Sequence, residues 1–294
     1  MKVTRPMLAT TAKDLNKIKF PVLASPKLDG FRCTKVDGKA LARSFKPIPN
    51  HFVRKYIEKN LPEGIDGELM LRDPNATFNQ ISSALRKYDG EPDFVFHIFD
   101  LIGSEGFKER VYKASKQVNQ CNDPRLKMVE HIMVHNLEQL RAFEEICLAK
   151  GYEGAMIRSL DGPYKCGRST EKEGYLLKLK RFVDSEAEIL GFVELKHNTN
   201  EKQTNELGLS FRSHDKEGMV PAGMLGKFEV RDLKTGVEFE VGTGLGLTQE
   251  LRKEIWENKD KYLGEYIKYK YQKIGMKDKP RSPIWLGFRA KEDM

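Results

Sequence analysis

Short runs in which apolar and polar residues alternate fill much of the first 180 residues and predict β-strands. These runs cover residues 21–24, 31–36, 39–44, 65–71, 94–102, 155–159 and 175–179. Between the second and third runs, Asp37-Gly38 is a dipeptide typical of a two-residue hairpin turn. The chain therefore opens with strands, the first of them joined in a hairpin.

Apolar residues three and four positions apart predict helices at 52–59, at 78–87 and at 137–149. Thr77 precedes the second helix and supplies a hydroxyl suited to an N-cap. We expect the apolar stripes of these helices to pack in a core and to have no direct function.

The pattern changes after Lys180, where the polar residues 183–186 are followed by about five strand-like runs and a helix at 248–258. Five short strands with one helix fit a small, partly open barrel such as the OB-fold. A single core stops growing at roughly 250–300 residues, which also favours two domains in a chain of 294 residues. We predict an α+β domain over 1–183 and a small β-barrel over 184–294.

The net charge of +8 favours a polyanionic partner. Residues 1–183 have 32 lysines and arginines against 23 acidic residues, whereas residues 184–294 have 19 against 20. Within the second part, 261–281 contains seven basic residues, two acidic residues and four interleaved tyrosines. In this segment Lys268, Lys270 and Lys273 are candidate phosphate contacts. The alternative is an amphipathic element with tyrosines in the core and solvated lysines.

Apolar runs approaching the ~20 residues of a membrane helix are absent from the sequence, and the basic N-terminus lacks the apolar segment of a secretory signal. The four cysteines form no C-x-x-C pair. We therefore expect a cytoplasmic protein with reduced thiols and no membrane partner. We also expect a monomer.

Candidate chemistry begins at 27–32, where Lys27 follows a predicted strand and Arg32 lies five residues on. A lysine near other cations can lose its proton and act as a nucleophile. The pattern K-x-D-G-x-R alone also occurs by chance in surface turns, so its meaning depends on the motifs that follow.

Two carboxylates and two lysines follow in order: Glu68 in the sequence DGEL, expected at the end of its strand, Glu153 before the run at 155–159, and the pair Lys178 and Lys180. One or two carboxylates together with substrate phosphates are the usual ligands of Mg²⁺. Alternating lysines on one strand face can neutralise phosphate charge. Each motif singly is also typical of a solvated strand end.

Together these motifs resemble the covalent nucleotidyltransferases, a superfamily of DNA ligases, RNA ligases and mRNA capping enzymes, and within it the ATP-dependent DNA ligases. The resemblance implies an α+β nucleotidyltransferase domain of the ATP-grasp-like ligase type, followed by an OB-fold. It also implies that Lys27 attacks the α-phosphate of ATP and stores AMP, which is then used to seal nicks in duplex DNA.

The resemblance assigns further roles. Glu68 would bind the ribose and Glu153 the metal, with Mg²⁺ or Mn²⁺ expected at these two carboxylates. An aromatic residue would stack on the base, with Phe99 the first candidate and Phe96 the second. The resemblance also assigns phosphate contacts: Lys178 and Lys180 hold the α-phosphate, and Arg32 and Arg43 contact the nucleotide or the 5′-phosphate of the nick.

The second part resembles ATP-dependent DNA ligases at 240–245 (EVGTGL) and at 281–293 (RSPIWLGFRAKED). In the latter, Arg289 and Lys291 would orient the leaving pyrophosphate. Two positions depart from the family pattern: Ala290 replaces an aspartate, and Ser25 replaces a glutamate that contacts adenine in many relatives. Because only 26 residues precede Lys27, we expect ATP as the donor and not NAD.

Two alternatives stay open at this point. An RNA ligase or a capping guanylyltransferase shares the nucleophile and carboxylate motifs, and the use of GTP would identify the latter. A nonenzymatic OB-type nucleic-acid-binding protein would use its basic strip alone and would not need Lys27.

Overall fold

The computed structural model describes residues 3–204, 210–213, 215–273, 276 and 278–290. The chain divides into two compact units, Met1–Lys180 and Arg181–Met294. We predicted a boundary at 183, the residue at which the first strand of the second unit begins.

Strands of the first unit form two five-stranded sheets and a short two-stranded one. Their bounds are β1 Met7–Leu8, β2 Thr10–Thr11, β3 Val22–Pro26, β4 Phe31–Val36, β5 Lys39–Ala42, β6 Ile65–Leu71, β7 Phe94–Leu101, β8 Leu126–Met128, β9 Ile132–Val134, β10 Ala155–Ser159, β11 Gly167–Arg168 and β12 Leu176–Leu179. We call the sheet with the order β5-β4-β6-β7-β8 sheet I, and the sheet with the order β2-β12-β10-β3-β9 sheet II. The strands β1 and β11 pair separately.

Helices of the first unit pack against these sheets. They are α1 His51–Asn60, α2 Phe78–Arg86, α3 Phe107–Cys121 and α4 Leu137–Ala149, with a 3₁₀ turn at Leu15–Lys17. A core below sheet I joins α1, α2 and α3, and a separate core joins α4 to sheet II. Fully burying an aliphatic or aromatic side chain contributes roughly 1.5–3 kcal/mol, so these two cores hold the sheets in place.

Local predictions in the first unit are largely confirmed. The strands β4, β6 and β10 have the predicted bounds, as does α4. Asp37 and Gly38 both have positive φ, as a type I′ hairpin turn requires. Thr77 caps α2 in a reciprocal capping box with Gln80.

Helix α3 is absent from the sequence-based predictions. Its buried face contains Phe107, Ala114 and Val118, but also the charged residue Arg110. The apolar positions of this helix nevertheless follow a helical period, so the sequence contained a usable signal that was missed. The short strands of two or three residues offer no period to detect.

The second unit contains a closed five-stranded barrel with the order β13-β16-β17-β19-β18. The elements of this unit are β13 Val183–Asn198, β14 Lys202–Thr204, β15 Ser210–Arg212, a 3₁₀ turn at Lys216–Gly218, β16 Met219–Asp232, β17 Glu238–Gly242, α5 Gln249–Glu257, α6 Lys259–Tyr262, β18 Tyr266–Gln272 and β19 Arg281–Arg289. The predicted small barrel and its main helix are confirmed. The barrel is closed where a partly open one was predicted, because β17 pairs with β19.

Tyrosines and lysines alternate across β18. Tyr269 is buried in the barrel core, while Lys268 and Lys270 lie on the opposite face. The alternative of an amphipathic element with its tyrosines in the core is therefore correct for Tyr269. The lysines of this strand lie at the surface.

None of the helices in the described ranges has the length and apolar character needed to cross a bilayer.

Candidate active site

A cleft in the first unit is lined by residues from both sheets. Sheet I contributes Arg32, Glu68 and Phe99, and sheet II contributes Ser25, Met156, Arg158, Leu176 and Lys178. The two-stranded sheet adds Leu8 on β1 and Arg168 on β11, and the segments next to the strands add Ala9, Lys27, Leu28 and Arg43. The cleft encloses about 880 Å³, a volume that includes space open to solvent. Six predicted site residues therefore meet in one cleft: Lys27, Arg32, Arg43, Glu68, Phe99 and Lys178.

Lys27 lies directly after β3, as the sequence predicted. Its backbone N–H donates to the carbonyl oxygen of Gly154 at 2.9 Å, and the N–H of Glu153 donates to the carbonyl oxygen of Lys27 at 3.3 Å. These two bonds hold the segment after β3 against the segment before β10. The nucleophile candidate and the carboxylate of Glu153 are consequently fixed side by side.

The Glu153 carboxylate is shared by two lysines. Its Oε2 accepts a hydrogen bond from Lys27 Nζ, and its Oε1 accepts one from Lys180 Nζ at 2.8 Å. Burial alone would raise the pKa of this carboxyl, but the charges and hydrogen bonds of the two lysines outweigh burial and lower the pKa. Glu153 is therefore an anion that orders two cations.

Gly154 is required by the close approach of strands at this point. Its φ is +138°, and a Cβ there would lie 2.2 Å from the carbonyl oxygen of Leu179. Glycine adopts this conformation readily, whereas other residues are strained in it.

We expect Gly154→Ala to lower the free energy of unfolding by more than the ~1–3 kcal/mol of backbone strain alone, because the added Cβ also clashes with backbone. Gly151→Ala is the matched control, since Gly151 has φ +83° but open space around its missing side chain. Urea unfolding of both proteins measures the difference. Equal losses in the two variants would contradict the clash.

Phe99 lines the cleft and lies at a β-bulge. In the pairing of β6 with β7, Asp66 lies opposite Asp100 and Gly67 lies opposite Ile98, so Phe99 is the extra residue. Bulges are common next to active sites, where they redirect a side chain. Phe96, the second candidate, is fully buried in the core below sheet I.

Arg32 is held below Phe99 by a buried carboxylate. Its Nε and Nη2 each donate to Asp66 at 2.6 Å, and its guanidinium carbon lies 4.6 Å from the centre of the Phe99 ring. Burial alone would lower the pKa of Arg32, but Asp66 raises it above the ordinary value. Arg32 thus supports the aromatic ring as well as lining the cleft.

Glu68 lies in the middle of β6, between Arg32 on β4 and His97 on β7. The prediction that it ends its strand was wrong, because both neighbouring strands continue past it. Burial raises the pKa of its carboxyl to about 7, although the charges of Arg32 and Lys27 act to lower it.

This pKa makes stability depend on pH in a defined direction. A carboxyl that binds a proton more tightly when folded stabilises the protein below its ordinary pKa of 4.5, and this contribution is lost as the pH rises through about 7. We expect the wild type to lose up to about 3 kcal/mol between these values relative to Glu68→Gln. Urea unfolding at pH 5 and pH 8 measures the difference, and parallel profiles for the two proteins would contradict it.

A group of cations surrounds one wall of the cleft. Burial lowers the pKa of Lys178, and the charges of Lys27, Lys180, Arg168 and Arg43 lower it further. Sequence reasoning missed Arg168, which belongs to the two-residue strand β11 and therefore gave no periodic signal.

Sequence reasoning also missed Arg158, although β10 contains a usable signal. Residues two apart on a strand share a face, and Met156 and Arg158 both line the cleft. Arg158 lies only five residues after Glu153, and this position was the available indication in the sequence that it lines the same cleft.

The remaining predicted residues belong to the second unit. Arg289 forms an ion pair with Glu186 at 3.2 Å, Lys268 forms one with Asp184 at 3.0 Å, and Lys273 is exposed. Lys270 Nζ lies 5.2 Å from the centre of the Phe182 ring. Lys291 lies outside the described residues.

Metal-binding potential is limited to small donor sets. Among the described residues no group of three or more histidine, cysteine, aspartate or glutamate side chains is arranged to hold a metal ion. The binding of a metal ion by Glu68 and Glu153 stays a prediction.

Comparisons with known proteins identify the family of both units. Residues 6–180 match the family described as ATP dependent DNA ligase domain, and residues 218–289 match the DNA ligase OB-like domain. A solved structure of Chlorella virus DNA ligase-adenylate is 34% identical, covers 99% of this chain and 100% of its own, and has a TM-score of 0.57. A Lig E DNA ligase structure shares the fold at 23% identity, with a TM-score of 0.72 and coverage of 98% and 100%.

Among curated proteins, the DNA ligase of Nanoarchaeum equitans is 28% identical over 222 residues, which are 63% of this chain and 38% of that protein. The matched region spans about a third of the length of the curated relatives. Since the first match alone covers more than half of the 294 residues, the chain belongs to the family of ATP-dependent DNA ligases.

Proposed function

We propose that this protein seals nicks between a 3′-hydroxyl and a 5′-phosphate in duplex DNA, with ATP as the AMP donor and Lys27 as the covalent carrier. The observation that carries the proposal is the contact of Lys27 with Glu153 beside a cleft lined by several cations, in a chain of this family. The same cleft contains an aromatic ring for a base and a carboxylate for a ribose.

In the first step, Lys27 Nζ attacks the α-phosphorus of ATP. An N–P bond forms, the bond from the α-phosphorus to the bridging oxygen breaks, and pyrophosphate leaves with the electron pair. The amine must lose its proton, and the Glu153 carboxylate in contact with Nζ is positioned to accept it. Lys178 and Lys180 offset the charge that accumulates around the phosphorus.

In the second step, an oxygen of the DNA 5′-phosphate attacks the lysine-bound phosphorus, and the N–P bond breaks. In the third step, the 3′-hydroxyl attacks the 5′-phosphate, a phosphodiester forms and AMP leaves. Arg43 and Arg168 are exposed at the cleft and are proposed to hold the 5′-phosphate.

The nucleotide would lie with its base against Phe99 and its ribose at Glu68. Because Arg32 is bound to Asp66, its proposed contact with the nucleotide or the nick is made beside that ion pair. We further propose that Arg289 and Lys291 orient pyrophosphate, which requires Arg289 to leave Glu186.

A divalent cation, Mg²⁺ or Mn²⁺, fits the donor chemistry of Glu153 and Glu68 together with the phosphates of ATP. When bound, it would withdraw charge from the α-phosphate and favour departure of pyrophosphate. The two lysines on Glu153 would then share that carboxylate with the cation.

The second unit is proposed to bind the DNA backbone through Lys268, Lys270 and Lys273. Support comes from their surface position on a barrel that matches the DNA ligase OB-like domain. We propose that the protein acts as a monomer in the cytoplasm.

The test is to incubate the protein with Mg²⁺ and α-labelled ATP or GTP, isolate acid-labile label on the chain, and add nicked DNA. We expect label from ATP that is lost as the nick closes. Label from GTP instead would indicate a capping guanylyltransferase, label passed to nicked RNA alone would indicate an RNA ligase, and no label would leave a nonenzymatic nucleic-acid-binding protein.

A further inference from the structure

Two buried aspartates lie directly opposite each other in sheet I. Asp66 on β6 pairs in register with Asp100 on β7, and both are fully buried. Adjacent buried carboxylates are costly unless each is hydrogen-bonded to a cation or another donor. The partners of these two residues therefore define the local structure behind the bulge at Phe99.

Asp100 is bound by two arginines from different elements. Arg110 on α3 donates from Nε to Oδ1 at 2.9 Å and from Nη2 to Oδ2 at 3.3 Å. Arg158 on β10 donates from Nη1 to Oδ2 at 2.7 Å. Both guanidinium groups are almost completely buried.

The bond from Arg158 joins the two sheets, since β10 belongs to sheet II and β7 to sheet I. A second link of the same kind lies beside it: Tyr164, which follows β10, donates its hydroxyl to Asp66 at 2.7 Å. Two buried polar bonds thus connect the walls of the cleft.

Arg158 also packs against aromatic rings. Its guanidinium carbon lies 4.5 Å from the centre of the Phe107 ring and 5.5 Å from that of Phe99. Arg32 lies 4.6 Å from the same Phe99 ring. The ring of Phe99 therefore lies near two guanidinium groups, each bound by its own buried aspartate.

We propose that Arg158 is a positioning residue of the nucleotide site: its bond to Asp100 sets the separation of the two sheets and the orientation of Phe99, and hence the width of the cleft that accepts the base of ATP. The inference rests on the proposed use of ATP. It predicts an effect on nucleotide affinity that exceeds any effect on the chemical step.

Arg110 provides a matched control. It binds the same carboxylate and is as deeply buried as Arg158, but it belongs to α3 and does not line the cleft. Its remaining bonds go to the carbonyl oxygens of Glu105 and of Gly162 in the segment after β10, so it makes no bond to β10 itself. Loss of either arginine leaves Asp100 with the other. A difference between the two variants therefore reports on the direct bond between β7 and β10.

The experiment compares Arg158→Met with Arg110→Met in formation of the lysyl-AMP, measured against ATP concentration, together with urea unfolding of each. Displacing a positioned group by about 1 Å can lower the efficiency of catalysis on the order of a hundredfold. We expect Arg158→Met to raise KM for ATP by at least about tenfold while kcat falls less than about threefold, and Arg110→Met to lower stability without this rise. If the methionine variants do not fold, Arg158→Lys and Arg110→Lys repeat the comparison. Because lysine keeps the positive charge, Arg158→Lys is expected to retain part of the affinity for ATP that Arg158→Met loses.

An unchanged KM for ATP in Arg158→Met, or equal rises in both methionine variants, would overturn the inference. Failure of the proposed function has a different signature, namely no lysyl-AMP in the wild type. In that case equilibrium binding of ATP to the Lys27→Ala protein, with and without Arg158→Met, still decides the role of Arg158. Equal ATP affinities would refute it, and a loss confined to the double variant would support it.

Discussion

Lys27→Ala is expected to abolish formation of protein-bound AMP and to leave sealing of a nick that already has AMP on its 5′-phosphate. Alanine has no amine to form the N–P bond, whereas the last step joins the 3′-hydroxyl to an activated phosphate and needs no covalent carrier. The expected loss of labelling is complete within detection. Gel analysis of labelled protein, and of sealing with pre-adenylated and ordinary nicked DNA, measures the two outcomes separately.

Lys59→Ala is the control, because it makes the same change at an exposed position in the last turn of α1, outside the cleft. It should label and seal like the wild type. Label persisting on Lys27→Ala would place the nucleophile elsewhere, and loss of sealing on the pre-adenylated nick would point to a collapsed site. Circular dichroism and urea unfolding distinguish collapse from loss of the amine.

Residues whose role depends on local sequence were predictable. Lys27 follows a strand with a clear apolar pattern, and Glu153 precedes another, so their placement at strand ends could be inferred before their contact was known. The contact itself rests on hydrogen bonds between segments 126 residues apart, which no local pattern encodes.

Residues whose role depends on pairing between strands were harder to predict. Glu68 was expected at a strand end because the sequence does not reveal where β4 and β7 stop beside it. The bulge at Phe99 is likewise a property of the register between β6 and β7. Phe99 was preferred over Phe96 by resemblance to the family, and the physical reason for its position emerges only from the paired strands.

Buried charges explain the rest of what was missed. The role of Arg110, on the buried face of α3, was missed. The role of Arg158 was missed because it resembled an ordinary polar residue at the end of β10. Both are explained by Asp100, a carboxylate within an apolar strand. An aspartate in such a run indicates that buried partners exist, but it does not identify them.

Glu153→Gln is expected to lower kcat for formation of the lysyl-AMP by about a hundredfold, the scale seen when one positioned electrostatic group is removed from an active site. Glutamine keeps the shape of the side chain but loses the charge that holds Lys27 and Lys180 together and the oxygen that can accept a proton. The two lysines would then repel each other. KM for ATP should change much less, since the phosphates meet one fewer negative charge, and this offsets the loss of the bond that orders Lys180.

The matched control is Glu173→Gln, which removes the charge from another lysine–glutamate pair of the first unit, formed with Lys165 at 2.7 Å. Neither member of that pair lines the cleft, and pairs as exposed as this one contribute roughly 0–1 kcal/mol, so labelling should stay near the wild-type rate. Single-turnover labelling with ATP at several concentrations separates kcat from KM for both variants. A Glu153→Gln rate within about threefold of the wild type would mean that the paired lysines are ordered by other groups, and that the proton of Lys27 leaves by a route that does not involve this carboxylate.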